Sequence, residues 1–211
     1  MQNTSSTQNK NTSSARGASH AGGDGSNGGA HDSAAPFLTD VKTLRERARQ
    51  HIQQGAVTEN YGADPKVVVE VLNAALATEV VCVLRYKNHY FMAQGIASEG
   101  AKTEFAEHAA EEQEHADKIA ERIVQLGGEP DLNPETLTKR SHSEYKTAQS
   151  LMEMLREDLI AERIAVESYR EIVEWLRGKD PTSKRLMEEI LAVEEEHADD
   201  IQSLLAGMKS D

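Results

Sequence analysis

Apolar residues recur every three or four positions along most of the chain beyond residue 64, which is the spacing of an amphipathic α-helix. Val68, Leu72 and Leu76 show the pattern in the first such stretch, and Ile119 and Ile123 show it in the second. The pattern predicts an all-α fold. Its four long helices are expected at residues 65–94, 98–126, 147–177 and 181–207.

Residues that favour helix ends support these boundaries. Asp64-Pro65 and Asp180-Pro181 each place an N-cap aspartate before a proline at the first helical position. A glycine follows the predicted end of each of the first three helices, and glycine readily adopts the left-handed conformation that ends a helix.

The connections between the helices predict the topology. Only a few residues separate the first helix from the second and the third from the fourth, so each pair should form an antiparallel hairpin. About 20 residues, Gly127 to Lys146, join the second helix to the third, with a helical turn expected at Ser141–Tyr145. A connection of that length can cross a bundle, so residues 65–207 are expected to form a four-helix bundle with one long crossover.

The N-terminal part of the chain differs in composition from the bundle. Residues 1–36 are dominated by Ser, Gly, Asn and Thr and are expected to form a disordered tail. Residues 37–64 should form a helical extension, with a short helix from Asp40 to Gln54. This helix should pack against the bundle or against a neighbouring subunit, because it carries an apolar stripe. The stripe consists of Leu44, Ala48 and Ile52.

Charge and composition limit the binding partners and the cellular location that can be expected. The formal net charge of the 211 residues is −13, which disfavours DNA as a partner because nucleic acids bind basic surfaces. A single cysteine, Cys82, excludes an intrachain disulfide. We find no apolar run approaching the roughly 20 residues that span a bilayer, and no signal-peptide core. We therefore expect a cytoplasmic protein without a membrane partner.

One chemical motif occurs twice. Residues 112–117, Glu-Gln-Glu-His-Ala-Asp, recur at residues 194–199 as Glu-Glu-Glu-His-Ala-Asp. Each copy contains Glu-x-x-His, and residues i and i+3 lie on one face of a helix, where both can bind the same metal ion. One copy would be a weak signal in a chain with 28% charged residues, but two copies in equivalent hairpins are much stronger. The residues concerned are Glu112 and His115 in the first copy, and Glu194 and His197 in the second.

A lone glutamate among apolar neighbours precedes each copy. Glu79 lies 33 residues before the first copy, and Glu162 lies 32 residues before the second. A carboxylate on an apolar helix face needs a partner, and a metal ion is a natural one. One Glu from each of two helices and one Glu-x-x-His from each of the other two form the ligand set of di-iron carboxylate bundles. Four carboxylates and two imidazoles suit a pair of iron or manganese ions, and zinc can also occupy such a site.

Four segments, one in each predicted long helix, resemble segments of a known family. They are Leu72-Asn73-x-Ala75-Leu76-Ala77-x-Glu79, His115-Ala116-Asp117 with Glu121-Arg122-Ile123, Met154-Leu155-Arg156-x-Asp158-Leu159, and Glu188-x-Ile190-Leu191. Through them, residues 67–205 resemble the ferritin-like superfamily, in its bacterioferritin and Dps-like branch. The resemblance implies that the ferroxidase ligands are Glu79, Glu112, His115, Glu162, Glu194 and His197.

The same resemblance implies an iron-storage and detoxification ferroxidase that oxidises Fe(II) with O2 or H2O2 inside a homo-oligomeric cage. The family binds haem through a Met that directly follows the second-helix Glu, and Gln113 stands at that position, so haem is not expected. The 24-subunit cages of the family carry a short fifth helix. Only 14 residues follow His197, so a cage of 12 subunits is expected instead.

Two further residues are candidates for contacts with the metal ligands. Tyr86 follows Glu79 by seven residues, and it could hydrogen-bond a ligand or simply pack in the core. Asp158 precedes Glu162 by four residues, and it could orient a ligand histidine or lie at the surface.

Two other functions remain open at this point. One is a soluble di-metal oxidoreductase, either a peroxidase or a manganese-catalase-like enzyme. A single cysteine excludes the rubredoxin centre of rubrerythrin-like peroxidases. The other is a DNA-protecting, Dps-like shell, which the acidic composition disfavours.

Overall fold

The regular structure of the described residues is entirely helical. The computed structural model describes residues 39–95 and 98–208, so the predicted tail at residues 1–36 lies outside the described part of the chain. The helices are α1 (Val41–Arg47), α2 (Pro65–Met92), α3 (Glu99–Gln125), α4 (Leu137–Arg140), α5 (Leu151–Leu176) and α6 (Pro181–Met208). The predicted all-α four-helix bundle with one long crossover is confirmed, and α2, α3, α5 and α6 are its long helices.

Capping side chains begin α2 and α5, although α5 begins later than predicted. The Asp64 carboxylate accepts a hydrogen bond from the Lys66 backbone N–H at 2.9 Å, as an N-cap should. Helix α5 begins at Leu151 rather than near residue 147. Ser150 and Glu153 form a capping box there, in which each side chain accepts a hydrogen bond from the other residue's backbone N–H.

The N-terminal helix is shorter than predicted. Helix α1 ends at Arg47, and the predicted helix cannot continue through His51, because its positive φ of 49° does not fit an α-helix. A 3-10 turn at Ile52–Gln54 replaces the rest of the predicted helix. No residue of α1 is buried, and Ile52 is 80% exposed, so the apolar stripe does not pack on the bundle. Its packing against a neighbouring subunit stays a prediction.

The crossover between α3 and α5 contains one helical turn, four residues earlier than predicted. The turn is α4, at Leu137–Arg140, and not Ser141–Tyr145. Buried Leu137 explains this position, because it packs against Ala77 and Val81 of α2. The Arg140 guanidinium also donates to the Asn73 carbonyl at 3.1 Å, which fastens the crossover to the same helix.

Two apolar clusters fill the bundle and leave a polar layer between them. The first lies toward the start of α2 and includes Leu72, Leu76, Ile119, Ile123, Tyr169, Leu176 and Met187. The second lies toward the end of α2 and includes Tyr86, Phe105, Met154, Leu155, Ile201 and Leu205. On each long helix, the predicted metal ligands fall between the residues of the two clusters.

Helix α2 has a high mean hydropathy. An 18-residue window of α2 averages 2.1, so by length and composition this helix could cross a membrane. Its apolar residues are nevertheless interrupted by Glu70, Glu79 and Arg85, so no continuous apolar run approaches 20 residues. Core helices of soluble bundles reach this hydropathy too, and 56% of this window is buried inside the chain.

Candidate metal centre

The polar layer between the apolar clusters consists of six acidic and histidine side chains. One comes from α2, two from α3, one from α5 and two from α6. Each of the six residues is at most 3% exposed. The structure thus brings together every predicted ligand: Glu79, Glu112, His115, Glu162, Glu194 and His197.

The six residues form two overlapping groups that could each hold a metal ion. In each group, one potential ligand atom per residue lies within 4.8 Å of the others. The first group is Glu79, Glu112, His115 and Glu194, and the second is Glu112, Glu162, Glu194 and His197. Because Glu112 and Glu194 belong to both groups, their carboxylates are placed to bridge two ions. The other four residues each belong to one group.

Both histidines direct Nδ1 at the carboxylates. His115 Nδ1 lies 3.0 Å from Glu194 Oε1 and 3.4 Å from Glu79 Oε2. His197 Nδ1 lies 3.5 Å from Glu112 Oε1 and 4.0 Å from Glu162 Oε2. The ring nitrogens and carboxylate oxygens therefore converge from four helices on one small volume.

Several buried polar atoms of this layer lack a hydrogen-bond partner within the described part of the chain, as expected of atoms that bind metal ions. Eight buried side-chain atoms of the six residues lack a hydrogen-bond partner among the described residues. They are Glu79 Oε2, both oxygens of Glu112 and of Glu194, Glu162 Oε2, and Nδ1 of both histidines. Buried polar atoms without partners cost free energy, and like-charged carboxylates repel one another. Two cations among these atoms would remove both costs.

The pKa values of the layer are set by burial and by the charges of neighbouring groups. Burial, together with the charges of Glu194 and Glu112, raises the pKa of Glu79 well above its usual value. Burial alone would lower the pKa of His115, but the neighbouring carboxylates of Glu112, Glu194 and Glu79 raise it to about 12. The same balance raises the pKa of His197 to about 11. Protons thus compensate the carboxylates when no metal is bound, and metal binding would displace them.

Comparison with known proteins agrees with this geometry. Residues 69–210 match the Ferritin family, described as a ferritin-like domain. The chain belongs to the ferritin-like family. A bacterioferritin from Brucella melitensis is 35% identical over 143 residues, which cover 67% of this chain and 84% of that relative. A "DNA protection during starvation protein" from Pyrococcus furiosus is 31% identical over 160 residues, or 73% of this chain and 85% of that relative.

Among solved structures, a protein of Bacteroides fragilis has a TM-score of 0.68 and 34% sequence identity. The match covers 71% of this chain and 90% of that one, which is described as a dodecameric thioferritin and a bacterioferritin-related protein. The resemblance seen in the sequence, to the bacterioferritin and Dps-like branch of the superfamily, is confirmed.

Two tyrosines contact the polar layer in equivalent ways, and only Tyr86 was predicted from the sequence. The Tyr86 hydroxyl donates to Glu162 Oε1, and the Tyr169 hydroxyl donates to Glu79 Oε1. Each tyrosine therefore contacts the glutamate of the opposite hairpin, not the one on its own helix. Tyr169 follows Glu162 by seven residues, as Tyr86 follows Glu79, so the same spacing could have identified it.

Asp158 does not have the position expected of it. This buried carboxylate contacts neither His115 nor His197, and instead accepts from Arg85 Nε at 2.9 Å. It also lies 2.9 Å from His89 Nδ1. The expectation that it orients a ligand histidine is wrong, because its carboxylate is directed at Arg85 and His89 of α2. Asp158 is linked to the layer through Arg85, whose Nη2 lies 3.8 Å from Glu162 Oε1.

His108 of α3 is a further neighbour of the layer. Its ring stacks on the His197 ring, with centroids 4.0 Å apart and an interplanar angle of 20°. Burial, together with the charge of His197, lowers the pKa of His108 to about 4. The second ring nitrogen of His197, Nε2, lies 2.7 Å from Glu111 Oε2. This contact fixes the His197 ring so that its Nδ1 faces the carboxylates.

Proposed function

We propose that this protein is an iron-storage and detoxification ferroxidase. Each subunit binds two Fe(II) ions as substrate in the pocket formed by Glu79, Glu112, His115, Glu162, Glu194 and His197. O2 or H2O2 is the oxidant, and ferric mineral is stored inside a homo-oligomeric cage. A pair of Fe(II) ions supplies two electrons in one event, while the protein supplies positioned ligands.

One observation carries this proposal: two ligand groups share two carboxylates. Because both groups share Glu112 and Glu194, two bound cations would lie close together. Two separate mononuclear sites would not bring their cations together in this way. The unpartnered acceptor atoms of the pocket support the same assignment. The mixed carboxylate and imidazole set suits Fe(II), and also allows Mn(II) or Zn(II).

The residues of the pocket have distinct roles in the proposed reaction. Glu112 and Glu194 bridge the two ions, while Glu79 with His115 and Glu162 with His197 each complete one coordination sphere. Tyr86 and Tyr169 hold the outer carboxylates through one oxygen and leave the other free for a metal ion. The apolar clusters on both sides keep bulk water from the pocket.

We also propose that the cage contains twelve subunits. The Bacteroides fragilis structure, which covers 71% of this chain, is described as dodecameric. The cytoplasmic location and the absence of haem stay predictions from the sequence.

A DNA-protecting shell is the second candidate, because the Pyrococcus furiosus relative carries that name. The net charge of −13 favours the ferroxidase reading over DNA binding. A gel-shift assay at about 50 mM salt, where phosphate contacts are strongest, separates the two. Retarded DNA would favour the shell.

The proposed oxidation is tested by removing one bridging carboxylate. Glu112→Ala removes a ligand from both groups, so rapid Fe(II) oxidation should fall by at least about a hundredfold. The cage should stay assembled, because the change relieves repulsion among buried carboxylates. Glu107→Ala is the matched control, since Glu107 is an exposed residue of the same helix outside both groups.

The measurement is the initial rate of Fe(II) oxidation after mixing with O2 or H2O2, with light scattering to verify assembly. A Glu112→Ala cage that oxidises iron as fast as the parent would contradict the proposed pocket. A Glu107→Ala cage as slow as Glu112→Ala would show that the effect is not specific to the pocket.

A further inference from the structure

Arg85 is the largest fully buried side chain among the described residues, and it lies beside one half of the pocket. We call the cation position of Glu162 and His197 the Glu162 half, and that of Glu79 and His115 the Glu79 half. Arg85 Nη2 lies 3.8 Å from Glu162 Oε1. An arginine side chain stays protonated in proteins, so the Glu162 half adjoins a permanent positive charge.

The guanidinium of Arg85 is fixed by partners from three parts of the chain. Its Nε donates to Asp158 Oδ1 of α5 at 2.9 Å, and its Nη1 donates to Ser143 Oγ of the crossover at 3.1 Å. Its Nη2 donates to Cys82 Sγ of its own helix at 3.4 Å. Asp158 thus pairs with Nε and screens part of the charge, while Nη2 faces Glu162.

The corresponding positions on the other half are uncharged. Ser168 of α5 corresponds to Arg85, because each follows the lone glutamate of its hairpin by six residues. The Ser168 hydroxyl donates to a carbonyl of its own helix at 3.2 Å. Ala75 corresponds to the aspartate partner of Arg85, since each precedes its lone glutamate by four residues, and Ala75 is fully buried in the first apolar cluster. The duplicated pocket is therefore unequal in charge.

The charge of Arg85 matters most after oxidation. The four carboxylates of the pocket balance the charge of two Fe(II) ions. When the pair gives two electrons to H2O2, two protons are taken up and two water molecules form, and each iron gains one positive charge. Coulomb repulsion is proportional to charge, so Arg85 repels Fe(III) about one and a half times as strongly as Fe(II) at the same distance. Its charge therefore opposes retention of the product more than binding of the substrate.

We propose that Arg85 makes the Glu162 half of the pocket release its ferric ion after each oxidation. This inference rests on the proposed function, because it requires iron to be a substrate that passes through the pocket. Asp158 sets the strength of the effect, since its carboxylate screens Arg85. The ferric ion of the Glu79 half, where the corresponding residues are uncharged, leaves later.

Two substitutions with opposite expected effects test the role of the charge. Oxygen-free titration of the metal-free full-length protein with Co(II) measures affinity without oxidation. Arg85→Gln removes the charge and should tighten one of the two Co(II) binding steps about tenfold. Asp158→Asn leaves the charge unscreened and should weaken the same step by a similar factor. A purely structural role would weaken Co(II) binding in both variants, and that result would overturn the proposal.

A third variant decides the question if Asp158→Asn fails to assemble, which light scattering reveals. Arg85→Lys keeps a positive charge and should bind Co(II) like the parent, whereas Arg85→Gln should bind it more tightly. Equal affinities in these two variants would show that the charge has no effect on binding and would overturn the proposal. Ser168→Ala, at the corresponding position of the other hairpin, is the matched control and should bind like the parent.

Release has its own measurement, in which Fe(II) is added twice. Each addition supplies two Fe(II) ions per subunit with H2O2, and the amplitude of the second fast phase counts the pockets that emptied in the interval. Arg85→Gln should match the parent in the first fast phase but recover several times more slowly. Recovery at the parent's rate, after a normal first phase, would overturn the release role alone. A parent without a first fast phase would contradict the proposed function itself.

Discussion

At the scale of single residues, the outer carboxylates of the pocket are held by tyrosines from the opposite half of the bundle. Tyr169 of α5 donates to Glu79 of α2, and Tyr86 of α2 donates to Glu162 of α5. One oxygen of each glutamate is thereby occupied, and Oε2 of each remains without a partner inside the pocket. The tyrosines thus orient each carboxylate, in the way that outer hydrogen bonds orient metal ligands elsewhere.

Removing one of these hydroxyls should weaken one of the two cation positions. We expect Tyr169→Phe to lower the affinity of the Glu79 and His115 position for Co(II) by about tenfold or more, because Glu79 loses the bond that orients it. Oxygen-free titration measures this change. Tyr145→Phe, at a tyrosine that is 42% exposed, is the control and should bind like the parent. Equal affinities in the two variants would contradict the orienting role.

At the scale of elements, the start of α6 is tied to the other hairpin by one buried aspartate. Asp180 caps α6 by accepting from the Ser183 backbone N–H at 3.0 Å. It also accepts from Arg122 of α3 at 3.0 Å and from the Tyr61 hydroxyl at 2.6 Å. Burial alone would raise the pKa of Asp180, but hydrogen bonds lower it to about 2, led by the bond that the Ser183 hydroxyl donates and followed by that from Tyr61.

The lowered pKa makes a prediction about stability and pH. Asp180 titrates at about 2 in the fold, against an ordinary value of 3.8. Its charge therefore stabilises the fold fully above pH 3.8, and this contribution is lost as the pH falls toward 2. Asp180→Asn, which keeps a capping side chain, should lower the free energy of unfolding by about 2 kcal/mol at pH 7.

Urea unfolding between pH 7 and pH 3 measures the difference between the parent and Asp180→Asn. That difference should shrink as the pH falls below 3.8. Asp64→Asn, at the exposed N-cap of α2, is the control and should cost far less. A constant difference between parent and Asp180→Asn across this range would show that the lost charge is not the cause.

At the scale of the whole molecule, the single chain exposes apolar side chains that an assembly would cover. Leu84 and Phe91, seven residues apart on one face of α2, are 49% and 76% exposed. Helix α1 buries none of its residues within the chain. Large exposed apolar side chains on regular elements indicate contacts with other subunits.

We therefore expect a closed particle in solution. Light scattering coupled to size-exclusion chromatography should give a mass near twelve times the 23.2 kDa of one chain. A particle of twice that mass would indicate the larger cage and contradict the subunit number. A monomer in native buffer would contradict the storage function itself, since mineral needs an enclosed interior.

The sequence by itself determined the features that depend on local spacing. The apolar period determined the four long helices, and the loop lengths determined which helices pair. Glu112 with His115 and Glu194 with His197 were predictable because residues three apart on a helix share a face whatever surrounds it. The duplicated motif also pointed to Glu79 and Glu162, since the two hairpins are built alike.

Only the tertiary structure decided the features that depend on contacts between helices. Sequence spacing places Asp158 near Glu162 on one helix, but packing directs it to Arg85 and His89. The contact of Tyr169 with Glu79 and the stacking of His108 on His197 join helices that are distant in sequence. Such contacts depend on how helices are rotated and offset, and a periodic pattern along one helix contains no information about its neighbour's register.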